Sequence, residues 1–185
     1  MFTPEEKREL LRIAREAISD ALESRQAPDM RPAEGALARP SGAFVTLRLN
    51  QDLRGCIGYI ESNEPVRAVI AEVAVRAAFD DPRFPPLTAE EFRNIHIEIS
   101  VLSPLRQIRD IGEIEVGVHG LVLELGQCRG LLLPQVATEY GWDRLEFLGN
   151  VSRKAGLPRT AWSDPGARIF VFSAEVFEEE GASVP

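Results

Sequence analysis

The stretch "LRGCIGYI" at residues 53–60 brings an arginine, a cysteine and two glycines into one β-prone run. Read with period two, Arg54, Cys56 and Gly58 share one face, and Leu53, Gly55, Ile57 and Tyr59 share the other. Alternate side chains of an extended strand stand about 6.5–7 Å apart. A guanidinium at 54 would then favour the thiolate of Cys56, the form that attacks electrophiles. Gly55 and Gly58 weaken the strand and let a ligand or a neighbouring backbone come close. Cys56 is therefore the candidate catalytic residue, with Arg54, Gly55 and Gly58 as candidate substrate-binding residues. The plain alternative is an inert cysteine packed in a tight strand, since free cysteine is among the most buried residue types.

Two other groups have the right residue types for chemistry. In "IHIEISVLS" (95–103), His96, Glu98 and Ser100 share one face and Ile95, Ile97, Ile99 and Val101 the other. A cysteine–histidine pair oriented by a carboxylate is a workable nucleophile arrangement. A solvated polar face of an antiparallel sheet gives the same alternation and is the favoured reading for His96. "DDPRFPPL" (80–87) sets Asp80, Asp81 and Arg83 on a proline-fixed turn, two carboxylates for a cation and an arginine for an anionic group. A helix stop with Phe84 and Leu87 plugging the core explains the prolines and the phenylalanine, but explains Arg83 less well. Arg83 joins the binding candidates.

No metal or cofactor is expected. Two histidines 23 residues apart and two solitary cysteines give no ligand spacing typical of zinc. No glycine-rich loop of the Walker or dinucleotide kind is present.

The elements that must position these residues can be read from caps and periodicity. Thr3-Pro4-Glu5-Glu6 is a capping box with proline at the first helical position. It opens a helix with Leu10, Leu11, Ala14, Ala17, Ile18, Ala21 and Leu22 on one stripe, ending near Ser24. Residues 25–42 hold three prolines and two glycines and read as a lid or a tether. Residues 43–49, the turn at 50–52 and the opening stretch predict a hairpin. Pro65 opens a helix, Thr88 and Glu91 cap a short one, and residues 95–103 form a strand. Residues 120–125 and 130–133 form a second hairpin. Asp143 and Glu146 cap a helix that ends near Gly156, and residues 167–178 form a last strand. With no regular βαβ repeat, the class is α+β, a largely antiparallel sheet with packed helices.

The chain has 185 residues, 44% of them apolar, which suits one domain with room for two subdomains. A net charge of −8 argues against general nucleic-acid binding, which relies on neutralising phosphates with Lys and Arg. No apolar run approaches a membrane span, the first residues are polar and acidic, and the cysteines are few and scattered. A cytoplasmic protein with reduced thiols and no membrane contact is expected.

"GAFVTL" (42–47), "LRGCIG" (53–58), "AAFDDPRFPPL" (77–87), "IEISVLSP" (97–104), "HGL" (119–121), "LLLPQV" (131–136) and "KAGL" (154–157) occur in an order that resembles the AMMECR domain family. The "GLLLPQV" and "KAGLP" segments are most similar to bacterial and archaeal members. The resemblance implies an α+β fold of two lobes with a cleft, and no settled reaction. Glu98 lies inside the matched "IEISVLSP" segment, so the resemblance implies that it is a binding residue of the cleft. The same resemblance implies an enzyme or enzyme component acting on a small molecule or nucleobase, or else a non-catalytic module that docks a partner. Memo-family and radical SAM proteins are the partners it suggests. The chain itself lacks the three-cysteine cluster motif of a radical SAM domain.

Overall fold

The computed structural model describes residues 1–23 and 34–180. It is α+β with antiparallel pairing, as the caps and alternation predict. Residues 25–33 of the predicted 25–42 loop, and the helix end near Ser24, lie outside the described residues, while Gly35–Ala38 form a 3-10 turn. The chain divides into two compact units. One comprises Met1–Leu102 with the stretch from Glu175 onward, the other Ser103–Ala174.

In the first unit, α1 (Pro4–Leu22) starts on the Thr3–Glu6 capping box. Strands β1 (Ala43–Leu49) and β2 (Asp52–Tyr59) are joined by Asn50 and Gln51, both at positive φ, the two-residue turn whose twist matches a hairpin. Helix α2 (Val66–Phe79) follows Pro65, α3 (Ala89–Phe92) sits on the Thr88–Glu91 capping box, and β3 (Ile95–Leu102) pairs with β1. Ala43, Val45, Leu47, Ile97 and Ile99 point to one face and are buried with Leu10, Ala14 and Ile18 of α1 and Val69, Ile70 and Val73 of α2. Two amphipathic helices thus cover one face of a three-stranded sheet. The other face carries Phe44, Thr46, Arg48, His96, Glu98 and Ser100.

The second unit holds β4 (Arg106–Ile108), β5 (His119–Leu125), β6 (Cys128–Leu132), α4 (Pro134–Glu139), α5 (Arg144–Lys154) and the first part of β7 (Arg168–Glu178). Strands β4 and β5 flank β7, and β6 pairs with β5. Helix α5, opened by the Asp143–Glu146 capping box, buries Phe147, Leu148 and Val151 against Leu121, Leu123 and Val171. The short β4 and α4 carry too few periodic positions to be read from sequence and were not expected.

The hairpin of the first unit contains one irregularity. Leu47 pairs with Gly55 and the next residue, Arg48, pairs with Leu53, so Arg54 is the extra residue of a β-bulge. The two glycines of β2 are accounted for here. A methyl group at Gly55 would collide with the carbonyl oxygen of Ala77 in α2, and one at Gly58 with the Phe44 ring and the Ala43 carbonyl. The close approach predicted for these positions is made by the protein's own backbone and an aromatic ring. Gly55→Ala is expected to lower unfolding free energy by about 3 kcal/mol, read as a reduced urea midpoint at unchanged slope. A midpoint equal to that of the parent would contradict this packing.

Candidate functional site

The bulge decides which face Cys56 takes. Counted back from the two-residue turn without an extra residue, Cys56 would fall opposite Val45 on the helix-covered face. With the bulge it falls opposite Thr46, and Thr46 in turn falls opposite Glu98 of β3. Cys56, Thr46 and Glu98 therefore form one row across three strands. The Thr46 hydroxyl donates to Cys56 Sγ at 3.3 Å. Thr46 is 8% exposed, Ser100 2%, and the Glu98 side chain 17%, with Arg48 Nη2 at 3.9 Å from its carboxylate. Thr46 and Ser100 are buried on this face, while Phe44, Arg48, His96 and Glu98 are half-buried.

The same bulge separates Arg54 from Cys56, correcting the expectation that the two stand side by side. Arg54 is buried and holds Glu91 in a two-point clamp, Nε to Oε1 at 2.9 Å and Nη2 to Oε2 at 3.0 Å. Its Nη2 also donates to the Pro85 carbonyl at 2.9 Å and the Pro86 carbonyl at 3.4 Å. Nη1 is buried without a partner among the described residues. The clamp, together with the Thr88 amide and hydroxyl, lowers the Glu91 pKa to about 2, so the pair stays charged at neutral pH.

Arg83, not Arg54, is the cation next to the thiol. Strand β2 ends the order β2-β1-β3 of this unit, so one edge of its backbone is open to capping by other groups. The 80–87 loop caps it: Cys56 N donates to Asp81 Oδ2 at 2.9 Å, and Arg83 Nη2 donates to the Cys56 carbonyl at 3.3 Å. Asp81 is 4% exposed and holds Arg83 through Nε at 2.9 Å and Nη2 at 2.6 Å. These bonds push the Asp81 carboxyl well below the ordinary range. Phe84 lies under both arginines, 5.8 Å from the Arg54 guanidinium and 5.5 Å from that of Arg83. Asp80, by contrast, is exposed and 4.0 Å from Arg76, so the two aspartates do not converge on a cation.

The thiol is held in its protonated form. Burial raises the Cys56 pKa above the ordinary thiol value, and Asp81 and Glu98 raise it further. The Thr46 hydrogen bond and Arg83 act in the opposite direction without cancelling the rise. The activation expected from a neighbouring guanidinium is therefore absent at rest. His96 does not reach the sulfur either. It stands opposite Arg48 and its Nε2 lies 3.0 Å from Glu178 Oε2.

Of the predicted site residues, the structure brings Cys56, Glu98 and Arg83 into one neighbourhood and sets Arg54 apart as a clamp. Thr46 and Asp81 were missed as members. Thr46 could be found only by counting the hairpin register through the bulge, and Asp81 only by knowing that the loop returns to the edge of β2.

The model of the AMMECR1 family matches residues 11–177. The chain belongs to the AMMECR1 family. A protein of Methanothermobacter thermautotrophicus is 45% identical over 96% of each chain. One from Methanopyrus kandleri is 44% identical over all of this chain and 93% of its own length. The crystal structure of the uncharacterized protein PH0010 from Pyrococcus horikoshii aligns with a TM-score of 0.85 at 39% identity, covering 97% of this chain and 94% of that one. No helix among the described residues of this AMMECR1-family chain is long and apolar enough to cross a membrane.

Because the Glu98 charge disfavours the thiolate, Glu98→Gln should lower the thiol pKa. Alkylation of Cys56 at pH 8 should then run about three- to tenfold faster than in the parent, by mass spectrometry of the labelled peptide. Unchanged or slower labelling would show that Glu98 does not act on the sulfur.

Proposed function

We propose that the chain is an enzyme or enzyme component that binds a small polar molecule against the row formed by Cys56, Thr46 and Glu98. The observation that carries this reading is the alignment of a thiol, a hydroxyl and a carboxylate across three strands, beside an Arg83 side chain that is 53% exposed. Arg83 offers charge-assisted donors to an acceptor or anionic group of the ligand, and Glu98 accepts from a donor group. Thr46 fixes the sulfur. Nucleophilic use of Cys56 requires its proton to leave for a base, and Glu98, opposite Thr46 on the neighbouring strand, is the carboxylate of the same row. Gly55 and Gly58 enter only by allowing β2 to lie close to α2 and Phe44, and Arg54 only as the clamp of the loop that carries Arg83.

A second reading has one specific observation in its favour: the thiol is protonated at rest, and the arginine and glycines of "LRGCIG" are all used in packing. On that reading the surface docks a partner such as a Memo-family or radical SAM protein, and the row is structural.

Metabolite profiling separates the two. Strains carrying Cys56→Ser, Thr46→Val or Arg83→Gln should accumulate the same compound as a deletion strain. Variant strains that match the parent, while the deletion strain does not, would overturn the small-molecule reading and favour docking.

A further inference from the structure

A separate hollow in the second unit has the make-up of a small-ligand site. Its volume is about 320 Å³, in the range of pockets that take a single ring with substituents. Its rim carries Gln107 and Arg109 from the end of β4, Trp162 of a short 3-10 turn (Ala161–Ser163) and Asp164, which follows that turn. Ile108 and Ile169 belong to the core of this unit, with Ile111, Trp162 and Ala167 packed on it, so the apolar part of the lining is held in place.

The polar groups at its rim are uncommitted. The Arg109 guanidinium, the Gln107 amide and the Trp162 indole N–H make no hydrogen bond or ion pair among the described residues. Asp164 uses Oδ1 to accept from Gly166 N at 2.7 Å, leaving Oδ2 free of such a partner. Several arginines elsewhere are tied to carboxylates, Arg12 to Glu9 and Glu16, Arg106 to Glu113 and Arg168 to Glu124. At this hollow a cation and a carboxylate face the same space without pairing, beside an aromatic wall.

We infer that this hollow binds a planar aromatic anion, its ring against Trp162, its anionic group on Arg109, and an N–H donor on Asp164. The pairing of chemistries follows from the rim. A neutral aliphatic molecule would leave the guanidinium and the indole unused, and a bare anion would leave the apolar lining wet.

The probe is 4-aminobenzoate, titrated into the full chain and followed by the indole N–H resonances. There are two tryptophans, and a Trp142→Phe variant assigns the Trp162 peak. Saturable movement of the Trp162 peak is expected, with a Kd on the order of a millimolar for a ligand of this size. Arg109→Gln should weaken binding about tenfold. Asp164→Asn keeps the acceptor for Gly166 and should remove the advantage of 4-aminobenzoate over benzoate. An unmoved Trp142 peak reports that each variant is folded. A Trp162 peak that does not move or moves without saturation, equal affinity in Arg109→Gln, or equal response to acetate would each overturn the assignment.

Discussion

One extra residue in β2 sets the geometry on which the rest of this chain's candidate chemistry depends. With Arg54 as a bulge, every position from Gly55 onward moves to the face opposite the one a regular hairpin would give it. Cys56 leaves the hydrophobic side, where Val45 would have been its neighbour, and joins Thr46 and Glu98. A bulge on an edge strand needs something to hold it, and Arg54 supplies this itself. Its guanidinium grips Glu91 and the carbonyls of Pro85 and Pro86. The 80–87 loop is thereby fixed along the open edge of β2, where Asp81 and Arg83 satisfy the amide and carbonyl of Cys56. "LRGCIG" and "DDPRFPPL" act as one physical unit, an edge strand and its cap.

The cysteine is quiet first because its sulfur is withdrawn from water, and that unit adds to the effect. The edge cap brings the buried Asp81 carboxylate close to the sulfur, and Glu98 adds a second negative charge from across the sheet. Arg83 opposes them, but two of its donors are already spent on Asp81. A ligand that drew Arg83 toward itself, or took up the Glu98 charge, would change this balance directly.

Much of the fold was legible from caps and alternation, for definite reasons. Three capping boxes, at Thr3, Thr88 and Asp143, each combine an oxygen acceptor with a glutamate three residues on, and all three open helices. The inward face of β3 followed from period two. What period two could not give was the bulge, because nothing local marks Arg54 as unpaired; the choice depends on Glu91, 37 residues away. Hence Cys56 and Arg83 were picked out by residue type and Glu98 by the family segment it lies in, while the partnership of Arg54 with Cys56 was drawn from an alternation the strand does not keep. The glycines were correctly read as sites of close approach, and only the structure shows that α2 and Phe44 make it.

Hydrogen exchange at the Cys56 amide tests most directly whether Arg54 holds the cap on the strand. In Arg54→Met, which keeps the bulk of the side chain and removes its charge, the Cys56 amide should lose its Asp81 acceptor as the loop loosens. Its exchange should then rise about tenfold or more, while the Val45 and Leu47 amides inside the sheet keep their relative protection. A Cys56 amide that exchanges at the parent rate in this variant would mean that the loop is held by other contacts and that the clamp is not what positions the site.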